Sequence, residues 1–196
     1  MTSLQYLQHG AILAKWGMGR GNTVEVTGVS AGHAKSFVAG KPDWVSSITV
    51  ADTSGNLQRK PAIIVHGRAD ALIPVNHSSR PYTALNKRVE GRHSQLSYIE
   101  VTNAQHFDSF IGLPTLLGGY DTRYIPLHVY LNRALDAMWD HLRHGKPLPE
   151  SQVVRTVPRG GTPGAAPALQ TANVPGFTAQ PAAGDRIVVT TSGAGA

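Results

Sequence analysis

The stretch PAIIVHGRADALIP, residues 61 to 74, restricts the folds open to this chain more than any other. Ala62 to Val65 are apolar and rich in β-branched residues, so they read as a buried interior strand. The run stops at His66-Gly67, and a lone carboxylate, Asp70, follows before the apolar Ala71-Leu72-Ile73-Pro74. Asn76-His77-Ser78-Ser79 then makes a good helix start, with Tyr82, Leu85 and Val89 at helical spacing and Gly91 as the stop. SQLSYIEVTNAQHF supplies the next strand, through Leu96, Tyr98 or Ile99, and Val101, and ends in a polar loop. Strand, helix and strand in this order predict an α/β layered sheet with parallel strands.

The flanks extend this plan. Leu4, Leu7, Ala11, Ile12 and Lys15-Trp16 suit a helix over residues 3 to 16, ended by Gly17 and Gly19. NTVEVTGVSAG alternates through Val24 and Val26 and reads as a strand running into a glycine-flanked turn. HAKSFVAG opens a short helix, and SSITVAD, residues 46 to 52, is a further strand candidate. A stronger helix runs from Leu127 to His144. Its apolar stripe is Leu127, Leu131, Leu135, Met138 and Leu142, the face such a helix turns to a core, and Gly145 with Pro147 closes it. The domain is therefore expected over residues 1 to 145. From 146 to 196 the composition shifts to Pro, Gly and Ala without sustained period, which predicts an extended tail that wraps the domain or is partly disordered. RIVVTT is a late strand candidate within it, and no internal repeat is present.

Composition excludes several classes of function. The net charge is +6, but the cations are scattered and form no basic helix with interleaved aromatics, so nucleic acid is not an expected partner. The chain has no cysteine, which removes disulfides, thiolate metal sites and a cysteine nucleophile. No apolar run reaches the ~20 residues needed to span a bilayer, so no membrane association is expected. MTSLQYLQHGAILAKWGMGRG lacks a basic start followed by an apolar stretch, so no signal peptide is visible. His141 and His144 near a helix end have no companion carboxylates at ligand spacing, and no glycine-rich phosphate loop occurs; neither a metal nor an organic cofactor is expected.

Chemistry is expected past the carboxyl ends of the strands, where open α/β sheets carry their reactive loops. Asp70 lies past one strand and His106 past the next. A carboxylate there can accept the Nδ1 proton of an imidazole, fix its tautomer and stabilise the imidazolium formed when Nε2 takes a proton. Asp before His is also the order of the last two members of an α/β-hydrolase triad, Ser-Asp-His. For the third member, GVSAG at 28 to 32 fits G-x-S-x-G and makes Ser30 the candidate nucleophile. The link from SSITVAD to the next strand is too short for a crossover helix of about a dozen residues. Ser30 is therefore either the nucleophile or a chance match. Asp108 is a rival partner for His106. His66 is expected to pack or bond backbone rather than react, while Asn76, His77 and Arg80 are expected to cap or sit at the surface, with pocket lining as the alternative.

Four stretches carry a family resemblance: GNLQRKPAIIVHGRADALIPVNHSSRPY, VEGRHSQLSYIEVTNAQHFDSFI, GYDTRYIPLHVYLNRALDAMWDHLRHGKPLP and SQVVRTVPRGGTPG. Across residues 55 to 164 the chain resembles the C-terminal part of the D-(-)-3-hydroxybutyrate oligomer hydrolases. The resemblance implies a partial or small α/β-hydrolase-like sheet. It also implies serine-type hydrolysis of ester bonds in 3-hydroxybutyrate dimers and short oligomers, a step of polyhydroxybutyrate breakdown and butanoate metabolism. A small-molecule ester is the implied partner, and an extracellular location is implied, with oligomeric state left open. Asp70 and His106 fall at the family's acid and base positions. Family members are several times longer, with their nucleophilic serine upstream of these stretches. The alternative expectation is thus a non-catalytic C-terminal piece without its nucleophile.

Overall fold

The computed structural model describes residues 54–189 with their side chains, and the backbone alone at 15–16, 23–27, 47–51, 190 and 193–195. The chain divides into two compact units, Met1–Ser54 and Gly55–Ala196.

In the first unit, β1 (Lys15–Trp16), β2 (Thr23–Thr27) and β3 (Ser47–Ala51) form one sheet, ordered β1-β2-β3. β2 and β3 are the strands expected from TVEVT and SSITVAD, and they pair in parallel. Lys15 and Trp16 were expected to end a helix. They instead pair antiparallel with Glu25 and Val24, so strand pairing overrides a weak helical pattern. The rest of that expected helix, the short helix from HAKSFVAG and the GVSAG turn lie outside the described residues.

The second unit is built on a small parallel sheet, β4 (Ala62–Gly67), β5 (Leu96–Val101) and β6 (Gln152–Val154), in that order. Between β4 and β5 runs α1 (Ser79–Glu90), closed by Gly91 at φ 56°. After β5 come a short α2 (Tyr120–Arg123) and the long α3 (His128–His144), which stops at Gly145 in the left-handed region, φ 66°. This mixture of helices with a small parallel sheet is an α/β arrangement.

β5 is the central strand, and its residues from Ser97 to Val101 are all buried. Its alternation sends Ile99 and Val101 to one face, where they meet Ala104, Ile125, Tyr130, Val154 and Val174. Tyr98 points to the other face and packs with Val153, Ile187 and half-buried Ile64. The strand expected as interior, β4, is in fact an edge of the sheet among the described residues, and its apolar residues are only half-buried.

α3 also departs from its expected orientation. Its buried residues are Tyr130 and Ala134, while Leu131, Leu135 and Leu142 of the expected core stripe are 53%, 60% and 65% exposed. The inward face packs Tyr130, with Leu127 and Val129 beside it, into the hydrophobic core and adds polar anchors. The Tyr130 hydroxyl donates to the Pro175 carbonyl at 2.9 Å, and Arg133 donates to the carbonyls of Pro175 and Val174 at 2.7 and 2.8 Å.

The Pro/Gly/Ala-rich segment runs back over this unit and supplies its third strand. Val153 N–H donates to Asp185 and Ile187 N–H to Ser151, which clips the 185–187 stretch beside β6. The buried Gln152 side chain exchanges two hydrogen bonds with the Thr178 backbone, at 2.9 and 3.0 Å. RIVVTT contains β7 (Val188–Thr190), which pairs antiparallel with β8 (Gly193–Gly195).

Candidate active site

The carboxyl ends of β4 and β5 are laced together by backbone. Arg68 N–H donates to the Val101 carbonyl at 2.7 Å, and Ala69 N–H to the Ala104 carbonyl at 3.0 Å. The side-chain carbonyl of Gln105 accepts a longer bond from Ala71 N–H, at 3.4 Å. This closeness requires Gly67: a Cβ there would stand 2.5 Å from the Ala104 carbonyl oxygen. The loop beyond β5 turns at Asn103, φ 53°, which is held by its amide donating to the Thr156 carbonyl at 2.9 Å.

Lacing the loops brings Asp70 to His106, with Nδ1 3.1 Å from Oδ2. Asp70 is 8% exposed. Its other oxygen, Oδ1, accepts Leu72 N–H at 2.9 Å and Ile73 N–H at 2.8 Å, an Asx-type turn that fixes the carboxylate plane. Burial pushes the Asp70 carboxyl up, but the nearby His66 ring and hydrogen bonds from Ile73 N–H and His106 outweigh it and hold it below the ordinary aspartate range. An ionised carboxylate only accepts, so the proton in the pair sits on His106 Nδ1. In the neutral ring Nε2 is then the acceptor nitrogen, and among the described residues nothing bonds to it. The ring is about a third open to solvent, with its edge against Phe107 at a centroid distance of 5.2 Å.

His66 backs the pair from the sheet side. Its Nε2 lies 2.8 Å from the Ile73 carbonyl, which only accepts, so this nitrogen carries the proton. The same nitrogen is 3.6 Å from Asp70 Oδ2, the oxygen that His106 uses. His66 thus bonds backbone as expected and also faces the carboxylate. Asp108 is not the rival partner. Its carboxylate accepts the N–H groups of Leu127 and His128 at 2.6 and 2.8 Å, at the start of α3.

Beside this lies a charged cluster that the sequence reading missed. Glu100 is buried on β5 at 1% exposure and receives Arg80 Nε and Nη2 at 2.6 and 2.8 Å, a two-point contact. Arg68 Nε reaches the same carboxylate at 3.1 Å, and the Tyr98 hydroxyl donates to it at 2.9 Å while touching Ser79 Oγ at 2.7 Å. Burial pushes the Glu100 carboxyl up, yet Arg80, Tyr98 and Arg68 together hold it below the ordinary glutamate range. Burial also pushes the Tyr98 phenol well above its usual range. A glutamate in LSYIEV, inside an otherwise buried strand, was the available signal, since such a charge requires a partner. Arg80 was expected at the surface and instead supplies that partner.

Ser30, the candidate nucleophile, lies outside the described residues. Among the described residues, no group of three or more His, Asp or Glu is placed to hold a metal ion, and no helix is long and apolar enough to cross a membrane. Cavities of about 300 and 350 Å³ lie around Ser94, Leu96, Glu150 and Ser151, at the amino end of β5 and away from the His106 loop.

The sequence profile described as 3HB-oligomer hydrolase (3HBOH) matches residues 10–194. A D-(-)-3-hydroxybutyrate oligomer hydrolase of Paracidovorax citrulli (strain AAC00-1) is 74% identical over 137 residues, covering 70% of this chain and 19% of the relative. Proteins of the same name from Burkholderia mallei (strain SAVP1) and Burkholderia pseudomallei (strain 668) are 59% identical over 138 residues, with the same coverage. The chain thus spans about a fifth of the length of these curated relatives. No solved structure matches it.

Proposed function

Because the chain belongs to the 3HB-oligomer hydrolase family, we propose that it carries the acid–base half of a serine-type esterase acting on 3-hydroxybutyrate dimers and short oligomers. The observation that carries this reading is the His106 Nδ1–Asp70 Oδ2 hydrogen bond of 3.1 Å, which leaves Nε2 without a partner among the described residues. In the proposed reaction Nε2 takes the proton of a serine hydroxyl as its oxygen attacks the ester carbonyl carbon. The imidazolium then gives that proton to the departing alcohol oxygen. Water, deprotonated in turn by Nε2, releases the 3-hydroxybutyryl group and restores the serine. Asp70 stays ionised throughout and stabilises the imidazolium, a role suited to its lowered pKa. No metal or organic cofactor takes part.

Ser30 is the proposed nucleophile in this chain. A second reading, favoured by the 19% span, is that the serine belongs to the part of the longer relatives outside the match. In the test, the full chain is incubated with the 3-hydroxybutyrate dimer and with a short-chain p-nitrophenyl ester, beside Ser30→Ala and His106→Ala. Turnover abolished by both substitutions is the expected result. Turnover unchanged in His106→Ala overturns the proposal. No turnover, with the His106–Asp70 bond intact by NMR, selects the second reading. Export from the cell, proposed by likeness to the family, is tested by fractionating the producing culture.

A further inference from the structure

Behind the His106–Asp70 pair stands a third side chain that the proposed reaction leaves without a task. His66 is the penultimate residue of β4, and its side chain is only 13% exposed. A neutral imidazole has one donor and one acceptor nitrogen, and the Ile73 carbonyl at 2.8 Å fixes Nε2 as the donor. Packing alone does not call for this ring. An apolar side chain would fill the space with no polar group to satisfy.

The bond from His66 closes a circuit through one residue. Ile73 is gripped at both polar atoms of its backbone: its carbonyl receives His66 Nε2–H, and its N–H donates to Asp70 Oδ1 at 2.8 Å. Leu72 N–H gives Oδ1 a second bond at 2.9 Å. At the other end of the turn, Asp70 N–H donates to the Gly67 carbonyl at 3.1 Å. The 70–73 turn is thus tied to the end of β4 twice, through backbone at Asp70 and through the His66 ring at Ile73. Once the turn holds Oδ1, the position of Oδ2 is also set, and Oδ2 is the atom that meets His106 Nδ1 at 3.1 Å. His66 Nε2 stands 3.6 Å from that same oxygen, beyond hydrogen-bond length but with its proton on the side that favours negative charge there.

We propose that His66 is a positioning residue for the acid–base pair: by holding Ile73 it sets Asp70 Oδ2 against His106 and so selects the His106 tautomer. It acts through Ile73 and Asp70 and touches no reacting atom. The inference rests on the reading of Asp70 and His106 as an acid–base pair, but its own claim concerns the turn and is measured without turnover.

The test is nitrogen NMR of the histidine rings in the full chain, in mildly alkaline buffer, for wild type, His66→Leu and His66→Gln. Glutamine places an amide N–H near the position of Nε2, whereas leucine places no donor there. Wild-type His66 should carry its proton on Nε2. In His66→Leu the ratio of Nδ1-protonated to Nε2-protonated His106 should fall by at least about tenfold, the effect of losing a well-placed bond to a carboxylate. His66→Gln should recover most of that ratio. A ring that only fills space predicts the opposite order, with leucine harmless and glutamine harmful. An unchanged His106 tautomer in folded His66→Leu overturns the proposal, as does a glutamine variant no better than leucine. Should His66→Leu not fold, His66→Asn takes its place, since its shorter amide stops near the Nδ1 position. A wild-type His66 protonated at Nδ1 also overturns the proposal and needs no variant. Ester turnover unchanged in His106→Ala would instead remove the catalytic reading, while the tautomer ratio still decides whether His66 holds the turn.

Discussion

Replacing Glu100 by Gln tests whether the buried charge cluster holds α1 against the sheet beside the candidate site. The substitution keeps size and shape but removes the charge that receives Arg80 at 2.6 and 2.8 Å, and Arg68 at 3.1 Å. It also turns an amide NH₂ toward a guanidinium, so at least one donor faces another donor. Removing one partner of a buried ion pair costs about 3–5 kcal/mol. The penalty is discounted here because the Arg68 and Arg80 side chains are 32% and 20% exposed, and water can rehydrate them. A loss of about 3 kcal/mol remains, equivalent to a drop of about 6–12 °C in melting temperature for a chain of this size. The pH dependence supplies a second signature. A carboxyl whose pKa is lowered by folding contributes stability that is complete above its unfolded value, about 4.3 for glutamate, and is lost as pH falls through the folded value. Wild type should thus lose stability more steeply than Glu100→Gln below that point. Thermal melts followed by circular dichroism over an acidic series measure both quantities. An unchanged melting temperature at neutral pH, or identical acid slopes, refutes the reasoning.

Asp70→Asn should keep the Leu72 and Ile73 hydrogen bonds through its carbonyl oxygen but present N–H to His106 Nδ1, forcing the wrong tautomer. If the chain turns over esters, kcat should fall by about 10³–10⁴-fold while melting temperature changes little; a loss under tenfold contradicts the assigned role. Gly67→Ala places a Cβ 2.5 Å from the Ala104 carbonyl oxygen, so the His106 loop must move at a cost of about 1–3 kcal/mol. Unaltered stability and unaltered His106 NMR shifts would contradict that geometry. Asp108→Ala removes the acceptors for two N–H groups at the start of α3 and should destabilise by about 1 kcal/mol in chemical denaturation, with a smaller loss in Asp108→Asn, whose single carbonyl oxygen still accepts one of them; equal stability of Asp108→Ala and wild type would contradict this cap.

The positions of elements marked by periodicity and punctuation were legible in the sequence, even where the face they bury was not. β4 and β5, α1 with its stop at Gly91, and α3 with its stop at Gly145 all occur where periodicity and punctuation put them. The meeting of Asp70 with His106 was legible for the same reason. Parallel neighbouring strands bring their terminal loops to one edge, and the Gly67 close approach completes the contact. What sequence hid was set by long-range polar contacts. Gln152-Val153-Val154 is too short and too deep in a Pro/Gly-rich segment to announce itself, and its strand pairing is fixed by clips to Ser151, Thr178 and Asp185. The Glu100 cluster joins residues from three elements, of which only Glu100 stands out in sequence. The inward face of α3 was misread because the more hydrophobic stripe faces outward, while Tyr130 and Arg133 anchor the other side.

The central claim is that Asp70 holds His106 as an Nδ1-protonated imidazole with Nε2 free to take a proton. Nitrogen NMR of the histidine rings in the full chain tests this with or without turnover. In mildly alkaline buffer, where an imidazole is neutral, His106 should show a protonated Nδ1 and a bare Nε2, and Asp70→Asn should reverse the preference. A ring protonated at Nε2 in the wild type, or a tautomer balance indifferent to Asp70→Asn, would contradict the account.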